Sequence, residues 1–160
     1  MNYKREQLGR ILANMGAIAP AQIDLILDKQ QDSGKRFGTI GVELGMFSEN
    51  ELARALATQF QYDYVDLSDA VLDNDLVTSL PSDISIKHGL VPLERVDETL
   101  VIAISDPTDI AAIDRLELQL GLTIVPRIAE KSRIERLVER GAGSQRVLRE
   151  ASEDFKLQLV

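Results

Sequence analysis

The chain has 160 residues, of which 44% are hydrophobic, with no cysteine and one histidine. This length suffices for one ordinary domain or two small ones, and the residue counts exclude disulfides, thiolate chemistry and a histidine-rich metal site. A formal net charge of −8 argues against sequence-independent binding to nucleic acid or to an anionic membrane. No stretch approaches the roughly 18 apolar residues needed to cross a bilayer, and the first residues lack a signal segment. We therefore expect a cytoplasmic protein without direct membrane contact.

The first 59 residues contain an internal repeat. Residues 7–30 align with residues 36–59 across the polar spacer 31–35. The copies share hydrophobic residues at equivalent positions and have five identical positions in one register: Gly9/Gly38, Ile11/Ile40, Gly16/Gly45, Leu27/Leu56 and Gln30/Gln59. A common register of this kind indicates a duplication.

Each copy is predicted to form two short helices. The first helix of each copy ends at a glycine suited to the left-handed position, Gly16 or Gly45. The second helix begins at Pro20 in copy one and at the capping box Ser48–Glu51 in copy two. Residues spaced i, i+4, i+7 share a face of each second helix: Ile23, Leu27 and Gln30, and likewise Leu52, Leu56 and Gln59. Two such hairpins should pack as a four-helix unit.

Gly9 and Gly38 are unusual because glycine inside a helix costs about 1 kcal/mol relative to alanine. A close crossing of the helices would explain one such glycine. The alternative is a bound ligand, since a helix amino end with glycine offers N–H groups to a phosphate. The arrangement occurs twice, with Arg36 beside one glycine and a glutamine closing each copy, which favours a ligand with two similar halves.

The repeat resembles the cyclic di-GMP-binding amino-terminal domain of bacterial type II secretion and type IV pilus extension ATPases, above all the mannose-sensitive haemagglutinin pilus type. The motif of that family has Arg-Leu-Gly, pairs of aliphatic residues, a glycine, two leucines four residues apart and a glutamine. The resemblance implies a regulatory region that is not itself an enzyme, with no cofactor and with cyclic di-GMP as ligand. The motif positions fall on Gln7, Leu8, Gly9, Leu12, Ile23, Leu27 and Gln30 in copy one, and on Arg36, Phe37, Gly38, Leu52, Leu56 and Gln59 in copy two.

Copy two is predicted to be the stronger half of the site. Gln7 stands where copy one should have its arginine, and Phe37 replaces a leucine. Ala13 and Gly41 interrupt the aliphatic pairs of the first helices. If these departures signal a lost nucleotide site, the alternative is a docking adaptor. It would present an apolar groove to the cytoplasmic domain of an inner-membrane platform protein, with no small ligand.

The residues after the repeats predict a small α/β subdomain. Residues 61–67 should be extended, and two weak helical patterns divided at Pro81 follow. An antiparallel hairpin should turn at Asp97 and Glu98, and Pro92 places its first strand at an edge of the sheet.

The subdomain should continue with a helix, a strand and a helix. Asp109 is predicted to cap a helix over residues 110–120. The strand Thr123–Ile128 and a helix over 129–139 complete the order ββαβα. The expected fold is thus α+β, with a four-helix unit at residues 1–60 and a three-stranded sheet at 61–140. Residues 141–160 should form a linker toward an attached motor domain.

Other candidate sites have simpler explanations. Residues 141–144 lack the lysine of a phosphate-binding loop, so ATP hydrolysis is not encoded. Asp106, Asp109 and Asp114 form a loose carboxylate group, but turn and capping roles explain the first two better than a metal. His88 precedes a glycine near a helix end, where a capping or solvent role is expected. No catalytic or metal residues are therefore predicted.

Overall fold

The computed structural model describes the backbone of residues 2–141 and the side chains of residues 7–141. Of the predicted linker at 141–160, residue 141 is helical and residues 142–160 lie outside the described residues. The described elements are, in chain order, α1 (Asn2–Asn14), α2 (Pro20–Ser33), α3 (Phe37–Glu43), α4 (Glu49–Phe60), β1 (Asp63–Tyr64), α5 (Asn74–Ser79), α6 (Ser82–His88), β2 (Val91–Val96), β3 (Thr99–Ile104), α7 (Ile110–Leu120), β4 (Thr123–Ile128) and α8 (residues 131–141). The α+β class is confirmed.

The two repeats form the predicted four-helix unit. Helix α1 packs chiefly against α4, and α2 against α3, so the two hairpins interlock. Ser48 caps α4 by accepting a hydrogen bond from the Glu51 amide, and the Glu51 side chain accepts one from the Ser48 amide. The core of the unit is aliphatic and aromatic: Leu8, Leu12, Ile18, Ile26, Phe37, Ile40, Phe47 and Ala55.

The sheet has four strands instead of the predicted three, in the order β1-β4-β3-β2. Strands β2 and β3 are antiparallel, and β4 runs parallel to both of its neighbours. The additional strand is β1, because Asp63 and Tyr64 pair with Arg127 and Ile128. Two residues are too short to show the period-two alternation by which a strand is recognised. As predicted from Pro92, β2 lies at an edge.

Helices cover both faces of the sheet. The side chains of Leu100, Ile102 and Ile104 point to the face that packs against α4, α6 and α7. Ala103 points to the other face, in a cluster with residues of α8 such as Ile134. Alternate residues of β3 are thus buried in two separate hydrophobic clusters, one on each face of the sheet.

Helix α4 belongs to the four-helix unit and to the sheet layer at once. Ala55 is buried among the other repeat helices, whereas Ala53 and Ala57 are buried against the sheet. Asn50 Nδ2 also donates to the Tyr64 hydroxyl at 2.9 Å and to Glu130 Oε1 at 3.3 Å. The predicted boundary between the four-helix unit and the α/β subdomain, at residues 60 and 61, stays a prediction. Helix α4 packs against residues on both sides of this boundary.

Two details of the second half differ from the predictions. The last helix starts at residue 131 instead of 129, because the Ala129 amide still donates to the Ile104 carbonyl as the strand would. His88 is neither a cap nor solvent-facing: its Nδ1 lies 2.6 Å from Asp109 Oδ2 and links α6 to the start of α7. Among residues 7–141 no acidic or histidine group is arranged to hold a metal ion. No helix of the described part is long and apolar enough to span a bilayer.

Candidate functional site

A groove of about 360 Å³ lies where the two repeats meet the loop after β3. Its walls come from α1 to α4 and from the loop at residues 106–108. The predicted site residues that line it are Leu8, Gln30, Arg36, Phe37, Gly38, Leu52, Leu56 and Gln59. The groove therefore has apolar walls and also contains polar side chains from both repeats.

The remaining predicted site residues lie elsewhere. Gln7 is exposed outside the groove, and Leu12 is fully buried in the helical core. Gly9, Ile23 and Leu27 belong to the packing between α1 and α2. Copy one thus contributes only Leu8 and Gln30 to the lining, and copy two contributes the rest of the predicted set.

The two motif glycines are explained by close helix packing. A Cβ on Gly38 would lie 2.7 Å from Leu52 Cδ1, and one on Gly9 would lie 3.1 Å from Ile23 Cγ2. Gly9 also lies in the middle of α1, so its amide is not at a free helix end as the phosphate hypothesis required. Both glycines therefore let the first helix of their copy approach its partner. Gly38 alone also lies in the first turn of its helix and in the groove lining, so only its amide keeps the position that the phosphate hypothesis requires.

Gln30 is the most unusual side chain of the groove. It is only 8% exposed, and its Oε1 accepts no hydrogen bond from any described residue. A buried acceptor without a donor costs about 1–3 kcal/mol, so native proteins seldom keep one without a ligand or water to satisfy it. Gln30 therefore offers an acceptor to an N–H or O–H group in the groove.

Arg36 is held at the edge of the groove by a residue that is 70 positions away in the chain. It precedes α3 as the N-cap residue, and its Nη1 donates to Asp106 Oδ2 at 2.7 Å. Asp106 also accepts hydrogen bonds from the amide and the hydroxyl of Thr108, at 3.0 and 2.5 Å. From the sequence, Asp106 is expected only in a turn, and the place of Pro107 and Thr108 in the groove wall is not predicted. No local signal points to them, because only the tertiary fold brings this loop to the repeats.

The charge of Asp106 is stabilised in the folded chain. Burial alone would raise the pKa of its carboxyl, but the hydrogen bonds from Thr108 and the Arg36 guanidinium together hold the pKa below the ordinary value of 3.8. Above pH 3.8 we expect the stability that comes from these contacts to be complete, and it should be lost as the pH falls through the lower pKa of the folded state. The checks are the carboxyl carbon NMR shift of Asp106 and the difference in unfolding free energy between wild type and Asp106→Asn across this range. A titration midpoint at or above 3.8 would contradict the assignment.

Comparison with known proteins places this fold in a family. The model of the MshEN domain matches residues 60–148, which is more than half of the chain. The type IV pilus assembly ATPase PilB of Myxococcus xanthus is 30% identical over 134 residues, which cover 84% of this chain and 24% of that protein. The chain thus spans about a quarter of the length of this relative.

Two solved structures are similar to this chain. The structure of MshE with cyclic di-GMP has a TM-score of 0.73 and 33% identity, covering 83% of this chain and 96% of that one. The amino-terminal domain of XpsE has a TM-score of 0.64 at 23% identity, covering 86% and 94%, and shows likeness of fold alone. The chain corresponds to the amino-terminal domain of pilus assembly ATPases and not to their nucleotide-hydrolysing domain. It belongs to the MshEN domain family.

Proposed function

We propose that the groove between the repeats and residues 106–108 binds cyclic di-GMP, and that the chain acts as the nucleotide sensor of a type IV pilus or type II secretion ATPase. The observation that carries this proposal is the buried, unpartnered Oε1 of Gln30 in a groove that also holds Arg36 and Gln59. The likeness to MshE, whose structure contains cyclic di-GMP, supports the same ligand.

The groove residues suit the parts of a guanine nucleotide. The Arg36 guanidinium is planar, so it can stack on a guanine face or donate two parallel hydrogen bonds. Glutamine amides pair with a base edge or a ribose hydroxyl. The Asp106 carboxylate accepts N–H groups such as those on the Watson–Crick edge of guanine. Leu8 and Leu52 supply apolar surface for the rings.

The two halves of the ligand should be bound unequally. Copy two presents a cation at Arg36, whereas its counterpart Gln7 is neutral and faces solvent. A volume of about 360 Å³ is at the lower end of small-molecule sites, so the groove fits one nucleotide half more closely than a whole symmetric dinucleotide. We infer that copy two contributes most of the binding free energy for cyclic di-GMP.

Ligand binding should also tighten the contact between the four-helix unit and the sheet layer. The groove wall combines repeat residues with Asp106, Pro107 and Thr108 from the loop that leads into α7. A ligand that contacts both walls stabilises the arrangement in which both are in place. In the parent ATPase this change would bias the attached motor domain.

Titration calorimetry of the purified chain with cyclic di-GMP tests the proposal. We expect saturable binding, weakened roughly 2- to 30-fold by Arg36→Ala because a cation stacked on a base contributes about 0.5–2 kcal/mol. Gln59→Ala should weaken binding as well. The matched controls are Arg115→Ala and Gln119→Ala on the exposed side of α7, which should bind as wild type does. No heat and no chemical-shift change at high micromolar ligand would refute the proposal.

A docking adaptor without nucleotide is the second candidate. The observation in its favour is the neutral, exposed Gln7 in place of the first motif arginine. The partner would be the cytoplasmic domain of an inner-membrane platform protein. A pull-down with that domain, performed with and without cyclic di-GMP, separates the two functions: an adaptor binds equally in both conditions.

A further inference from the structure

A second polar pocket, of about 180 Å³, lies between α8 and the loop after β1. It shares no lining residue with the cyclic di-GMP groove. Helix α8 packs on the face of the sheet opposite to α4, so the pocket lies on the far side of the sheet from the four-helix unit. Its lining consists of Leu67, Ser68, Ala70, Arg133, Arg136, Leu137 and Arg140.

Arg133 is fixed in the wall of this pocket by two carboxylates. Its Nη1 lies 2.7 Å from Asp66 Oδ1, and its Nε lies 3.0 Å from Oε2 of Glu130, which is 4% exposed. Asp66 also accepts the Ser68 amide at 2.9 Å. Hydrogen bonds from Ser68, followed by Arg133, lower the pKa of Asp66. The loop and the helix are therefore tied together in a defined geometry.

The other two arginines lack such partners. Arg133, Arg136 and Arg140 share one face of α8 at spacings i, i+3 and i+7. Within residues 7–141, Arg136 and Arg140 form no ion pair or hydrogen bond. Like charges four residues apart on a helix repel each other. In the described part of the chain, no carboxylate partner explains why Arg136 and Arg140 face the same pocket.

We propose that this pocket binds a phosphate group, held by Arg136 and Arg140. Guanidinium groups match phosphate oxygens in pairs of hydrogen bonds, and a phosphate dianion neutralises the two unpaired arginines. A carboxylate would neutralise only one. The volume of about 180 Å³ admits a phosphate group, and it lies below the roughly 300 Å³ at which pockets for drug-sized ligands begin.

The probes are inorganic phosphate and pyrophosphate, added to the full chain at constant ionic strength maintained with sodium chloride. We expect saturable NMR shifts of the Ser68 amide and of the Arg136 and Arg140 side-chain N–H groups. Arg136→Gln with Arg140→Gln should weaken binding at least tenfold, about the effect of losing 1.4 kcal/mol. Arg10→Gln with Arg115→Gln is the matched control, because both residues are exposed and the change in net charge is identical.

A second arm identifies the source of the phosphate. Flotation with phosphatidylcholine vesicles, with and without phosphatidic acid, tests a lipid headgroup that carries a phosphate monoester. Vesicle binding that is lost in the Arg136/Arg140 variant supports a headgroup, and binding of phosphate or pyrophosphate alone supports a soluble ligand. Equal weakening by the control variant, or no saturation with any probe, would overturn the site. Each result is independent of the calorimetry with cyclic di-GMP, since the two pockets share no residue.

Discussion

Gly41→Leu should lower the free energy of unfolding by about 3 kcal/mol, at the upper end of the cost of overfilling a core. A Cβ on Gly41 would lie only 2.1 Å from Phe47 Cζ, and Phe47 is 5% exposed. The ring therefore has to leave its buried position. The gain in helix propensity from glycine to leucine, about 1 kcal/mol, works in the opposite direction and is too small to compensate. Chemical denaturation measures the effect.

A second substitution should restore most of this loss. In copy one the residues equivalent to Gly41 and Phe47 are Leu12 and Ile18, both buried. Copy one thus pairs a larger residue at the glycine position with a smaller residue at the phenylalanine position. Gly41→Leu combined with Phe47→Ile reproduces that pair, and we expect its unfolding free energy to lie within about 1 kcal/mol of wild type. Phe47→Ile alone should be destabilised by a cavity. A double variant no more stable than Gly41→Leu would refute this complementarity.

Gln30→Met should have opposite effects on stability and on ligand binding. It removes an acceptor that is buried without a hydrogen bond, so the free energy of unfolding should rise by about 1 kcal/mol. The same change removes a proposed ligand contact, and the affinity for cyclic di-GMP should fall by about tenfold or more. Thermal or chemical denaturation and calorimetry measure the two quantities on the same samples.

The matched control for this prediction is Gln119→Met on the exposed surface of α7, which should change neither quantity. Unchanged affinity in Gln30→Met would remove Gln30 from the ligand site. A loss of stability would mean that water satisfies Oε1 in the unliganded chain.

The helices of the repeats were predictable because their signals are local. The capping box at Ser48 and the turns at Gly16 and Gly45 each depend on residues within one turn of the chain, and both glycines have positive φ. The same holds for the Asp109 cap and the turn at Asp97. Such sequence patterns indicate the local backbone conformation directly.

What the sequence did not reveal depends on contacts between distant residues. Strand β1 exists only because Asp63 and Tyr64 meet the end of β4. Gly41 was interpreted as a departure from the ligand motif, whereas its neighbour Phe47 shows that it makes room for an aromatic ring. Asp106 reaches Arg36 across 70 residues. Contacts between specific pairs of distant residues produce no periodic pattern in the sequence.

The position of α4 between two layers explains why the duplicated copies have not remained alike. Ala53 and Ala57, buried against the sheet, align with Asp24 and Asp28 of copy one, which are exposed. The second helices of the two copies thus have equivalent outer faces, of which that of copy two is buried against the sheet and that of copy one is exposed to water. The two repeats therefore differ in their contacts with the sheet. A two-fold symmetric ligand would contact one copy that packs against the sheet and one copy that does not.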